Sequence, residues 1–148
     1  MEITRQADYA VRAVLELALR DPEVRVPREE IAAEHGIPAP FLTKIVARLA
    51  AEGILDTRRG VKGGVRLARP AAQITLLEVI EAIDGPVLLN RCTRRPAECP
   101  RDNHCVVHRL WTALRDDLRG RLARVDFGAL ARQVRTATDS TLARAKGG

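Results

Sequence analysis

Aromatic side chains are scarce in this chain. Two Phe, one Tyr and one Trp are all that 148 residues hold, so a core must be built from Leu, Ile, Val and Ala. Lysine is scarce too, with three Lys against 22 Arg. Cysteine is limited to three residues. That odd number, with an N-terminus (M-E-I-T-R-Q) unlike a secretion signal, argues against a disulfide framework. No apolar run approaches membrane-spanning length and no internal repeat is visible, so a cytoplasmic protein without membrane association is expected. Signatures of enzymes are missing as well. The chain has no Cys-x-x-Cys pair, no nucleotide fingerprint, and no acid–base constellation sized for a small-molecule substrate. A redox enzyme or electron carrier is therefore not expected.

What is present points to nucleic acid. Apolar residues make up 46% of the chain, enough for one domain with a real core. The net charge is +6 and the pI is near 10.0, which suits an anionic partner. Arginine, the dominant cation, forks onto phosphate and guanine better than lysine does.

Periodicity then divides the chain. Ala7, Ala10, Val11, Val14, Leu15 and Ala18 recur at helical spacing, with Thr4 as N-cap and Asp21-Pro22 as the stop. Pro27 suits the start of a second helix, Glu29 and Glu30 complement its first turn, and Gly36 caps its end. A third helix follows closely, with Leu42, Ile45, Val46 and Leu49 on one face and Gly53 as its stop. Two short helices around a glycine turn, the second with a polar, basic outer face, read as helix-turn-helix. Next, I-L-D-T-R-R-G-V-K-G-G-V-R-L-A reads as two short strands around a glycine-rich turn that projects Arg58, Arg59 and Lys62 beside Gly60. A basic hairpin after a helix-turn-helix is a wing, which places its cations on phosphate or in the minor groove. A further helix carries a Thr75/Glu78 capping box, an apolar face of Leu76, Val79, Ile80 and Ile83, and Gly85 at its end.

All three cysteines fall in one stretch, Cys92-x6-Cys99-x5-Cys105-x2-His108. Thiolates select zinc, copper(I) or iron–sulfur clusters. Pro96 and Pro100 keep the stretch irregular, while Arg91, Arg94, Arg95 and Arg101 favour the thiolate. Asp102 or Asn103 is positioned to cap a helix starting near His104, which sets Cys105 and His108 one turn apart. A Cys3His zinc site competes with a cluster, and spacing alone leaves the two open. Beyond it, Val107, Leu110, Trp111, Leu114, Leu118, Leu122 and Val125 form a long apolar stripe, read as a dimerisation helix.

Together these residues resemble the winged-helix regulators of the IscR/NsrR type, the Rrf-two superfamily. Three features carry the resemblance, which runs from Met1 to about Ala131. They are D-Y-A-V-R-A in the first helix; the set I-A-A-E-H-G-I-P-A-P-F-L, R-G-V-K-G-G and L-A-R-P-A-A-Q-I-T-L-L-E-V-I-E-A-I; and the three-cysteine loop. The resemblance implies an iron–sulfur cluster on Cys92, Cys99 and Cys105. C-V-V-H-R-L-W makes His108 the fourth ligand of a 2Fe–2S cluster, and Asp8 of a partner's first helix is the alternative, in a 4Fe–4S cluster. The first cysteine gap is six residues where the IscR pattern has five, Val65 replaces a usual aromatic, and Pro27 replaces a frequent Ser cap.

The resemblance also places Pro38, Ala39, Pro40, Phe41, Thr43, Lys44, Ala47 and Arg48 at the start or on the exposed side of a recognition helix. Thr43 and Lys44 are expected nearest base edges, with Arg48, Arg58, Arg59 and Lys62 on phosphate or in the minor groove. The expected fold is mainly α with a small β-hairpin wing, a winged helix-turn-helix followed by a long dimerisation helix. Residues 1–85 form the DNA-binding region, whose first helix also packs at the dimer interface; 86–106 form the cysteine loop; 104–131 the dimerisation helix and following segment; 132–148 a flexible tail, with Ala137–Gly148 small, polar and Gly-ended. The expected function is a homodimeric regulator of double-stranded DNA operators, controlled by a cluster that senses redox, nitric oxide or iron–sulfur status. The alternative is a winged-helix regulator with structural zinc or a cofactor-free thiol switch.

Overall fold

The computed structural model describes residues 2–94 and 104–146, with side chains as far as residue 139. Helix α1 (Arg5–Leu19) starts at Thr4, whose hydroxyl accepts from the Ala7 N–H at 3.2 Å. Its buried face is Ala7, Ala10, Ala13, Val14 and Leu17. Val11, Leu15 and Ala18, expected in that stripe, lie partly buried at its margin, because Ala13 and Leu17 turn the face toward them. α2 (Arg28–His35) follows Pro27 and ends at Gly36, which is left-handed at φ +60°. α3 (Ala39–Ala51) buries Leu42, Ile45, Val46 and Leu49, the face its periodicity predicts. Pro38 and Pro40 open it, where a missing N–H costs nothing.

The wing is an antiparallel pair, β1 (Leu55–Arg58) and β2 (Gly64–Leu67), with Leu55 opposite Leu67 and Asp56 opposite Arg66. The sequence does not announce its third rung. Val26, just before α2, exchanges two 2.9 Å hydrogen bonds with Val65. Both valines are buried, so the hairpin is rooted in the core. A 3-10 turn at Ala71–Gln73 leads to α4 (Leu76–Asp84), where Thr75 and Glu78 form the expected capping box. Val79, Ile80 and Ile83 are buried and Leu76 packs at the margin.

A second 3-10 turn, Arg91–Thr93, precedes α5 (Val106–Ala123) and α6 (Phe127–Lys146). Two expectations change here. The N-cap of α5 is Cys105, which gives no side-chain cap, while Asp102 and Asn103 lie outside the described residues. The apolar stripe of α5 stops before Val125, because Val125 has left the helix and its carbonyl accepts from Leu76 N at 2.8 Å.

Residues from 132 onward, the expected tail, are helical through Lys146. The stretch from Gln133 to Lys146 contains no proline or glycine to stop a helix begun upstream. Asp126 caps that helix through Oδ1, which accepts from Ala129 N at 2.8 Å. Phe127 is fully buried in the shared core, and Arg135 donates to the Ala18 and Leu19 carbonyls at 3.4 and 3.3 Å, closing the end of α1. Among the described residues no helix is long and apolar enough to cross a membrane.

Candidate DNA-binding face and cysteine site

Helix α3 turns its apolar face to the core and leaves Pro38, Ala39, Pro40, Phe41, Thr43, Lys44, Ala47 and Arg48 exposed. Thr43 folds its hydroxyl back, donating to the Ala39 carbonyl at 3.0 Å. Phe41 stacks edge-on against Tyr9 of α1, with centroids 6.3 Å apart and planes at 77°. This contact braces the start of α3. Arg48 has a role the sequence does not suggest: its Nη1 donates to the Ile83 carbonyl at 2.6 Å, joining α3 to the end of α4.

On the wing, Arg58, Arg59, Gly60, Val61 and Lys62 are all exposed. Arg58, Arg59 and Lys62 form no ion pair with any described residue, so their charge faces solvent. Gly64 at φ +135° lets the returning strand pass 2.7 Å from the Val26 carbonyl, measured to where a Cβ would stand. The sequence reading missed the acid at the wing's base. Asp56 Oδ2 accepts from Arg25 Nη2 at 2.6 Å and from Arg66 Nε at 3.0 Å. Those hydrogen bonds, Arg25's first and Arg66's second, hold the Asp56 carboxyl below the usual carboxylate range against its own desolvation. The hairpin register supplies the signal that could have found this pair, since Asp56 and Arg66 are cross-strand partners.

The described candidate ligands of the cysteine segment lie on two elements. Cys92 sits in the Arg91–Thr93 turn, Cys105 caps α5, and His108 lies in the first turn of α5. Cys99 lies outside the described residues. Arg115 of α5 donates to the carbonyl of buried Thr93 at 2.8 Å, which ties the Cys92 turn to α5. Thr112 Oγ1 stands 3.3 Å from His108 Nε2, a partner able to fix the ring's orientation. Cys92 and Cys105 are both free and half-buried. Two free thiols on adjoining elements with an imidazole one turn further on are a soft donor set, and it fits an iron–sulfur or zinc centre. Among the described residues no three His, Cys, Asp or Glu side chains gather at one point. Asp8, the alternative fourth ligand, is exposed on α1 and pairs with Arg12 at 2.9 Å.

The first half of α5 exposes large apolar side chains, while Arg109, Asp116, Asp117 and Arg121 are exposed on the same helix. Val106, Val107, Leu110 and Leu114 are all open to solvent, and no residue of this helix is buried.

A helix-turn-helix with a rooted basic wing and a trailing pair of long helices defines a DNA-binding transcription regulator of the winged-helix class. The comparisons place it more narrowly. The family described as Rrf2, iron-dependent transcriptional regulator, matches residues 3–133. The HTH-type transcriptional regulator IscR of Photorhabdus laumondii subsp. laumondii is 35% identical over 130 residues, covering 88% of this chain and 79% of that protein. Two solved structures share the fold. CymR (YrzC), the global cysteine regulator of B. subtilis, superposes with a TM-score of 0.75 at 24% identity, over 90% of this chain and 98% of its own. T. potens IscR gives 0.74 at 21% identity, over 93% and 90%. The chain belongs to the Rrf2 family of transcription regulators, which are not enzymes.

Proposed function

We propose that this regulator acts as a homodimer whose affinity for an operator is set by an iron–sulfur cluster, 2Fe–2S in preference to 4Fe–4S, held by Cys92, Cys99, Cys105 and His108. The observation that carries the proposal is the position of Cys92, Cys105 and His108 at the junction between the DNA reader and the exposed apolar face of α5. The likeness to IscR supports the choice of cofactor. When bound, the cluster supplies a centre that responds to redox change or nitric oxide.

The chain's own residues relay that state. Arg115 holds the Cys92 turn to α5, and Arg119 of α5 pairs with Glu81 of α4. Arg48 then joins the end of α4 to the recognition helix. A shift of the cysteine segment on α5 thus acts on α3 through two hydrogen bonds and an ion pair. In this reading Thr43 and Lys44 reach base edges, Arg58, Arg59 and Lys62 contact phosphate or the minor groove, and two α5 faces pair across the dimer.

The test is an anaerobic ultraviolet–visible spectrum of freshly purified protein, with iron, sulfide and zinc assayed on the same sample. Visible absorption with matched iron and sulfide supports the cluster, and their ratio to protein chooses between 2Fe–2S and 4Fe–4S. A colourless protein with one zinc and no sulfide, even after anaerobic reconstitution, selects the structural-zinc reading. No metal in either state selects a thiol switch on Cys92 and Cys105.

A further inference from the structure

We propose that the recess at the base of the wing binds a backbone phosphate of DNA, with Arg25 and Arg66 as its contacts and Asp56 as the residue that positions both guanidinia. The proposal rests on the DNA-binding reading and adds a site that neither the recognition helix nor the wing tip accounts for.

The recess has a volume of about 550 Å³. Four cations from separate segments line it: Arg25 before α2, Arg58 on β1, Lys62 in the turn and Arg66 on β2. Its lining holds one carboxylate, that of Glu23, whose side chain is 87% exposed.

Register explains how two guanidinia come to stand together. Val26 pairs with Val65 in antiparallel fashion, so one residue further along Arg25 faces Arg66. Like charges directly opposite each other are destabilising. Asp56, the partner of Arg66 on the other side, offsets this by accepting from both, and its own carbonyl accepts from Arg25 Nη1 at 3.2 Å. Glu23 also pairs with Arg66, at 3.6 Å, so two carboxylates face these two guanidinia and the positive excess of the recess comes from Arg58 and Lys62. The guanidinia are already oriented, and their remaining N–H groups can fork onto a second anion at little entropic cost.

Salt-dependent DNA binding tests the idea on the full-length protein. Two duplexes serve as probes: one selected by the wild-type protein from a random pool, the other of unrelated sequence. Arg25→Gln and Arg66→Gln are each expected to weaken binding to both duplexes alike, by roughly threefold or more, and to make the slope of log K against log salt shallower by about one. Asp56→Asn removes a negative charge, so simple electrostatics predicts tighter binding. Positioning predicts weaker binding. Arg132→Gln, on the exposed part of α6, should change neither affinity nor slope.

Unchanged slopes in Arg25→Gln and Arg66→Gln, with wild-type binding intact, would overturn the recess site. Tighter binding by Asp56→Asn would overturn the positioning role. ATP binding by calorimetry that Arg25→Gln abolishes while DNA slopes stay unchanged would reassign the recess to a free phosphate and overturn the proposal. Should Arg25→Gln melt early, Arg66→Gln decides, since Arg66 is the more exposed of the two. A wild-type protein that binds neither duplex would instead overturn the DNA-binding reading itself.

Discussion

Arg48 Nη1 donates to the Ile83 carbonyl at 2.6 Å, and this one hydrogen bond joins the recognition helix to the C-terminal end of α4. A cation at that end also complements the helix dipole. Glu81, two residues back on α4, pairs with Arg119 of α5, and Arg115 of the same helix holds the turn that carries Cys92. In the proposed relay this bond is the last link between the cysteine segment and α3. Arg48→Ala should cost about 1 kcal/mol of stability and leave the fold intact. Its larger expected effect is on coupling. Wild-type DNA affinity is expected to differ by roughly 5–150-fold between cluster-loaded and cluster-free protein, and Arg48→Ala should bring that ratio close to one. Anisotropy titrations of both states measure it. An undiminished ratio in the variant would show that coupling takes another route.

The wing depends on a close approach at Gly64. Its φ is +135°, and an added Cβ would stand 2.7 Å from the Val26 carbonyl, a backbone atom that cannot swing aside. Gly64→Ala should therefore break the Val26–Val65 pairing and cost about 1–3 kcal/mol. Hydrogen exchange reads this directly, because the amides of Val26 and Val65, which bond each other's carbonyls at 2.9 Å, should lose protection together. If both amides stay protected while the melting temperature falls, the strain has been absorbed elsewhere.

Much of this architecture was legible in the sequence because it rests on local rules. The face of α3, the Gly36 cap and the Thr75–Glu78 capping box each follow from residues within a turn of one another. What was not legible depends on contacts distant in the chain. Val26 sits in a short polar stretch and becomes a strand residue only because Val65 presents a free edge. Arg48 reads as a surface cation until α4 brings a carbonyl to it. The final helix has a weak apolar pattern, and Phe127, one of two Phe in the chain, anchors it in a core made by α1 and α4. At the candidate site, Cys92, Cys105 and His108 were named from spacing and resemblance. The tie from Thr93 to Arg115 that holds their elements together crosses 22 residues and has no local signature.

The exposed face of α5 gives a prediction about assembly. Val107, Leu110 and Leu114 recur at spacings of three and four residues and are 54%, 53% and 45% exposed. That stripe suits a helix awaiting a partner. Leu110→Asp with Leu114→Asp should leave the single chain folded, since neither side chain is in its core, while placing charge in the proposed interface. Sedimentation equilibrium is expected to show a dimer for the wild type and a monomer for the double variant, with DNA affinity lowered in parallel. A double variant that remains dimeric would move the interface to another face.

Acid should weaken the cap at the start of α4. Burial pushes the Glu78 carboxyl up, but the Thr75 N–H, the Arg69 guanidinium and the Thr75 hydroxyl together outweigh it and hold Glu78 below the ordinary glutamate range. A group whose folded pKa is depressed contributes stability that is fully present above its unfolded pKa. That contribution disappears as pH falls through the folded value, because the unfolded chain takes up the proton first. The stability of this protein should therefore decline from roughly pH 5 downward on account of Glu78, with Asp56, depressed by Arg25 and Arg66, acting in the same direction. Glu78→Gln keeps an acceptor for the Thr75 N–H but carries no charge for Arg69. Its melting temperature should be lower than wild type at pH 7, its decline with acid shallower, and the two curves should converge at low pH. Curves that run parallel down the acid limb would assign the decline to Asp56 and other carboxylates, leaving Glu78 only its hydrogen bonds.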